Sequence, residues 1–289
     1  KLREMSFANI IGMVKEYRSL YGFYSDDLVG DYKRTIERLQ KEQRAAIEQQ
    51  FSSFGNVLYS ELHDFLNHGH EWIAAYDESL ASVHGLDFTD LICGVHRLFQ
   101  DPVVRERWRS RYSYISVDEM QDTGVLEYKV LEMLWEGNHV LLCGDYFQTI
   151  YEWRGSNPFR LLKQFDADFK PLKIIFYENY RSNWTLFTMA FKTLQNMFPD
   201  LVGSIYTELP RANSERKGKP VLIKGCKNSY LEGRYIYEAI CALPKDANIG
   251  VLVRDNKKAQ RLSDSFERLN NEKPEEERRH FMIIDEFKF

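Results

Sequence analysis

Two carboxylates stand side by side in YISVDEMQDT, Tyr114 to Thr123, immediately after a short, mostly β-branched and aromatic run that reads as a buried strand. Asp118, Glu119, Gln121 and Asp122 follow where a strand of an open α/β sheet emerges at its carboxyl edge, the usual ligand crevice. One carboxylate in such a place suits Mg²⁺, usually through water, and a second suits polarising a water that attacks a phosphate. The same residues also fit an acidic turn that caps the next helix. Both readings stand on this stretch alone.

Two further loops carry residue types of the same chemistry. GDYFQTIYEWRGSNPF sets Asp145, Gln148, Tyr151, Trp153 and Arg154 in one loop. A glutamine beside a bound phosphate orients water or senses the γ-phosphate through its amide. Tyr151, Trp153 and Arg154 suit single-stranded nucleic acid, with faces for stacking and a guanidinium for phosphate. Alternate residues also share one face of a strand, so Tyr151 and Trp153 read equally as core, and without further context core is preferred. In ENYRSN, Arg181 follows Tyr180 and precedes Ser182, which fits the cap of a helix starting near Trp184. A guanidinium projected across a cleft toward the other loops could act as an arginine finger.

The elements that must position these loops follow from periodicity. Residues 1 to about 86 read as helical, and in DYKRTIERLQKEQRAAIEQQF the apolar Tyr32, Ile36, Leu39 and Ala46 share one face. His63, His68 and His70 lie among Glu61, Asp64 and Glu71 without the spacing of a zinc motif, and polar surface helices are the expectation there. DFTDLICGVHRLFQ predicts an amphipathic helix with Phe88, Leu91, Ile92, Val95, Leu98 and Phe99 as its apolar set, and Asp101 with Pro102 opens the next helix. Val125 to Trp135 is helical by period, and HVLLC, His139 to Cys143, is a second buried strand. Strand, acidic tip, helix, strand, polar tip make a βαβ unit. Asn157 and Pro158 open another helix. Further on, Lys173–Tyr177, Pro220–Lys224 and Ile249–Val253 read as strands. Leu186, Phe187, Ala190, Phe191 and Leu194 form a core stripe, Tyr230–Leu243 a helix, and Ala259, Leu262, Phe266 and Leu269 the buried side of another. PRANSERKGKP reads as a mobile loop, and Arg254 and Asn256 follow the last strand as solvated ends or DNA contacts.

Composition sets the bounds. A chain of 289 residues with 44% hydrophobic and 14% aromatic residues is long enough for two domains, or one large one, and is not generally disordered. A net charge of −4 carries no global nucleic-acid signature, so any such site is a local groove. Four scattered cysteines without a CxxC pair suggest a reduced, intracellular protein, and the cytoplasm is the expected compartment. No apolar run reaches the length of a membrane span. Beginning at Lys1 and ending after FMIIDEF, the chain reads as a piece of something longer.

VDEMQDT, GDYFQTIYEWRGS and ENYRS resemble, in order and spacing, motifs II, III and IV of the superfamily 1 DNA helicases of the UvrD, Rep and PcrA type. LDFTDLI and IGVLVRDNKKAQRL are similar to further segments of these enzymes, so the likeness runs from about Leu86 to Leu262. The resemblance implies an α/β chain with parts of two RecA-like parallel-sheet motor lobes and an N-terminal helical insertion. It divides the chain into a helical subdomain at 1–86, part of the first lobe at 87–171 and part of the second at 172–289. It implies ATP and Mg²⁺, with Asp118 on the metal, Glu119 activating water, Gln148 contacting the γ-phosphate or that water, Arg181 as the finger and Tyr180 on the adenine. It also implies that Tyr151 and Trp153 stack on bases of single-stranded DNA beside Arg154, which reverses the core preference. The implied partners are single-stranded DNA and duplex junctions, with a nuclease or repair protein as a further partner, and no membrane.

The sequence departs from the pattern where phosphate is held. No GxxxxGK[ST] loop is present: Gly218 and Lys219 are followed by Pro220, and Asn213 stands where the first glycine belongs. Motifs V and VI are also missing, and Glu127 stands where many relatives have glutamine. The expectation is a helicase piece that hydrolyses no ATP by itself. The motor of a helicase–nuclease, or a non-catalytic binding remnant, are the alternatives.

Overall fold

The computed structural model describes residues 2–42, 44, 59–149, 158–212, 218–253 and 255–284. Contacts divide the chain into two compact units, Lys1–Ile174 and Ile175–Phe289.

The first unit opens with helices α1 (Leu2–Tyr21), α2 (Leu28–Glu42) and α3 (Tyr59–Ser82). Ile10, Ile11 and Val14 of α1 bury against Tyr32, Ile36 and Leu39 of α2 and Phe65, Ile73 and Ala74 of α3. The stripe expected on α2 is therefore core, while Ala46 lies outside the described residues.

Helix α4 (Phe88–Leu98) departs from expectation. Phe99 is buried, but Phe88, Leu91 and Leu98 are exposed. Its other stripe faces α1: Asp90 pairs with Lys15, Cys93 Sγ donates to the Lys15 carbonyl, and His96 Nδ1 lies 2.9 Å from Ser19 Oγ. The physical reason is charge. Lys15 Nζ, buried, sits 2.9, 2.8 and 2.5 Å from carboxylate oxygens of Asp77, Asp87 and Asp90. Burial alone would lower the Lys15 pKa, but its hydrogen bonds to Asp87, Asp90 and Asp77 hold it above the ordinary lysine range. Asp87 also caps α4 in a reciprocal box with Asp90.

Helix α5 (Pro102–Arg109) starts as predicted, with Asp101 as cap and proline in its first turn. It leads into β1 (Tyr114–Val117), then α6 (Val125–Trp135) and β2 (His139–Leu142). The strands pair in parallel, Tyr114 opposite His139 and Val117 opposite Leu142. Ile115, Val117, Val140 and Leu142 face a core of Met120, Tyr128, Trp135, Leu161 and Phe165, the last two from α7 (Pro158–Phe169). Both strands were expected to be buried; this face is only half-buried, and Tyr114 and Leu141 on the other are exposed.

The second unit holds β3 (Glu178–Asn179), α8 (Trp184–Met197), α9 (Pro199–Ile205), β4 (Arg211–Ala212), α10 (Ser229–Cys241) and α11 (Asn256–Asn271). β3 and β4 form a short parallel pair. Tyr237 of α10 buries against Leu262, Phe266 and Leu269 of α11, and Ala259 is half-buried. Three expected strands, Lys173–Tyr177, Pro220–Lys224 and Ile249–Val253, belong to no ladder among the described residues. A strand needs a neighbour for its N–H and C=O groups, and parallel neighbours are remote in sequence, so local periodicity does not supply them. Phe176, Leu222, Ile223 and Leu252 are exposed accordingly. On α8 the expected stripe is shallow: Phe187 and Phe191 stack at 6.0 Å, Leu194 is half-buried, and Leu186 and Ala190 are exposed.

Candidate functional site

At the carboxyl edge of the β1–β2 pair the ladder runs one step past each strand. Cys143 N donates to Val117 O at 2.8 Å, and Met120 N donates to Cys143 O at 2.9 Å. Between these bonds the chain must turn, and Glu119 does so in the left-handed region, φ 51° and ψ 39°. A non-glycine residue there costs about 1–3 kcal/mol and persists only where its surroundings over-determine it. Asp118 is exposed, its Oδ1 accepting the Glu119 N–H at 2.9 Å. A short 3₁₀ turn, Met120–Asp122, then drives Met120 and Gln121 inward.

The acidic pair does not cap the following helix. Helix α6 starts from Gly124, whose N–H donates to Glu127 Oε2 at 2.7 Å, so Glu127 supplies the cap carboxylate. Asp118 and Glu119 are left facing outward.

The second tip is stitched to the first. Gln121, 1% exposed, donates through Nε2 to Glu119 Oε2 at 2.5 Å and accepts the Asp145 N–H through Oε1 at 3.0 Å. Asp145 then accepts from Phe147 N at 2.9 Å and from Gln148 Nε2 at 2.8 Å. The structure thus brings Asp118, Glu119, Gln121, Asp145 and Gln148 together. Gln121 escaped the sequence reading as a site residue; its signal was a lone amide inside an otherwise acidic turn. Gly144 escaped it too: a Cβ there would lie 2.6 Å from Gln121 Oε1.

Asp118 and Glu119 offer exposed carboxylates, and no group of three or more metal-type side chains gathers among the described residues. That donor set suits a hard cation held mainly by water and phosphate oxygens, as Mg²⁺ is. His63 instead meets Asn67, and His68 and His70 lie beside Glu71. Tyr151, Trp153 and Arg154, with Arg254, lie outside the described residues.

In the second unit Tyr180 and Arg181 follow β3. Tyr180 is 74% exposed, and its hydroxyl donates to Glu178 Oε2 at 2.7 Å, while Glu178 Oε1 accepts from Arg211 at 2.7 Å. Arg181 is exposed and makes no ion pair among the described residues. The cap of α8 is Asn183, accepting from Leu186 N at 3.0 Å, rather than the expected Ser182, whose N–H donates to Asn179 Oδ1.

Residues 12–170 match the UvrD/REP helicase N-terminal domain, and residues 174–289 match the UvrD-like helicase C-terminal domain. The chain is 31% identical over 187 residues to a probable DNA helicase II homolog of Mycoplasma capricolum, covering 63% of this chain and 25% of that protein. It is 33% identical over 190 residues to the ATP-dependent DNA helicase Rep of Buchnera aphidicola, covering 64% and 28%. With DNA helicase II of Haemophilus influenzae it shares 32% over 175 residues, covering 59% and 23%. The chain spans about a quarter of the length of these relatives. On these matches, this chain belongs to the UvrD/Rep family of superfamily 1 DNA helicases.

Proposed function

We propose that the chain is a fragment of an ATP-driven DNA helicase or translocase that moves along single-stranded DNA and opens duplex junctions. The observation that carries this reading is the pair of outward carboxylates, Asp118 and Glu119, tied through Gln121 to the Asp145–Gln148 turn at one sheet edge. Asp118 would hold Mg²⁺ through water, and the ion, when bound, would neutralise charge on the phosphates. Glu119 takes a proton from the attacking water, and Gln148 orients that water or reads the γ-phosphate through its amide. Tyr180 stacks on the adenine, and Arg181 offsets charge on the transferred phosphoryl group. Tyr151 and Trp153 stack on bases beside Arg154, a grip indifferent to sequence. The division into a helical subdomain at 1–86 and RecA-like portions at 87–171 and 172–289 belongs to the same proposal, as do work in DNA repair in the cytoplasm and a nuclease or repair-protein partner.

The sequence holds no GxxxxGK[ST] loop, so the 289-residue chain is expected to turn over no ATP, with or without DNA. In the full helicase, Glu119→Gln is expected to lower turnover by about two to four orders of magnitude with nucleotide binding kept. Turnover by the short chain, or full activity of Glu119→Gln, would contradict the reading.

A further inference from the structure

The buried amide of Gln121 touches both loop tips, and its orientation is fixed by its neighbours. The Asp145 N–H requires an acceptor, so Oε1 faces it at 3.0 Å, and the NH₂ group must then face the Glu119 carboxylate, at 2.5 Å. Space for the amide is reserved by Gly144, where a Cβ would lie 2.6 Å from Oε1 and 3.3 Å from the backbone N of Gln121 and Met120. Among the described residues the Glu119 carboxylate has no other hydrogen bond. Its left-handed backbone and this single amide together set where it points.

We infer that Gln121 is a positioning residue that passes the position of the Asp145–Gln148 turn to the Glu119 carboxylate. The route is continuous: Gln148 Nε2 to Asp145 Oδ2, Asp145 N–H to Gln121 Oε1, Gln121 Nε2 to Glu119 Oε2. Gln121 is buried and is not placed to meet substrate; it acts through Glu119. A displacement of the second tip therefore moves the carboxylate of the first. As a statement about catalysis this rests on Glu119 being the group that activates water.

The test uses the 289-residue chain with ¹⁵N-labelled glutamate, aspartate and glutamine, and needs no nucleotide. Gln148→Ala removes the outer end of the route and is expected to shift the Glu119 amide resonance. In a Gln121→Met background, which keeps side-chain length without polar atoms, the same Gln148→Ala change is expected to leave Glu119 unmoved. An equal Glu119 response in both backgrounds, or none in the wild-type chain, would overturn the inference. If Gln121→Met loses the dispersion of a folded spectrum, Gln121→Leu, also without polar atoms, takes its place as the background, and an equal Glu119 response to Gln148→Ala with and without it would overturn the link. Should the link hold while Glu119→Gln leaves turnover intact in the full helicase, the role assigned to Glu119 fails and the coupling survives it.

Discussion

The tightest constraints lie where a side chain has no room for an alternative. Gly144 is one: with the Gln121 amide oxygen and two backbone nitrogens crowding its missing Cβ, Gly144→Ala forces either the amide or the β2 exit to move. A loss of about 1–3 kcal/mol is expected, typical of overpacking, and is read from thermal melting of the first unit. An unchanged melt would place the amide elsewhere. Lys15 is another. Lys15→Met leaves Asp77, Asp87 and Asp90 without their shared cation, with only Arg18, 3.8 Å from Asp77, in partial compensation. Removing one side of a buried ionic cluster costs about 3–5 kcal/mol, and a lower urea midpoint at unchanged slope would show it. Neither residue was legible as important beforehand. Lys15 and Asp87 are 72 positions apart, and no local pattern joins them. Asp118, Glu119 and Gln148 were legible as candidates because each follows a strand-like run, and it is the parallel β1–β2 pairing that brings the two tips together.

Among the elements, the helices of the first unit are held by polar contacts that titrate. Tyr24 donates to Ser19 Oγ at 2.7 Å, and Ser19 lies 2.9 Å from His96 Nδ1, so a neutral imidazole completes the chain. Burial lowers the His96 pKa below its ordinary 6.5. The folded state therefore binds fewer protons than the unfolded one, and this contribution is full above about pH 6.5 and lost as the pH falls through the lowered value. Stability of the first unit is expected to fall on acidification below that point. His96→Asn should flatten this part of the pH profile, and an equal slope in the variant would assign it to another group. Asp87, whose pKa burial would raise but Lys15 lowers, belongs to a separate window below 3.8. Helices were read well from period, since their hydrogen bonds are local. What failed was orientation and pairing: α4 turns its polar stripe inward because Lys15 draws Asp87 and Asp90 to α1, and Phe176, Leu222 and Leu252 mark apolar runs outside any ladder.

Over the whole molecule, the two units, Lys1–Ile174 and Ile175–Phe289, divide the proposed functional residues. The first carries the carboxylates and Gln148, and the second carries Tyr180 and Arg181. Family membership was legible from three motifs in order, while the ladder of the second unit was not, because its partners are remote in sequence. The claim that this chain serves a DNA motor is tested most directly by titrating a fluorescent oligothymidine into it across a salt series, beside Trp153→Ala. The account predicts binding that weakens as salt rises and weakens further in the variant, while both proteins melt alike. Binding equal in the two proteins at every salt concentration, with the fold intact, would contradict it.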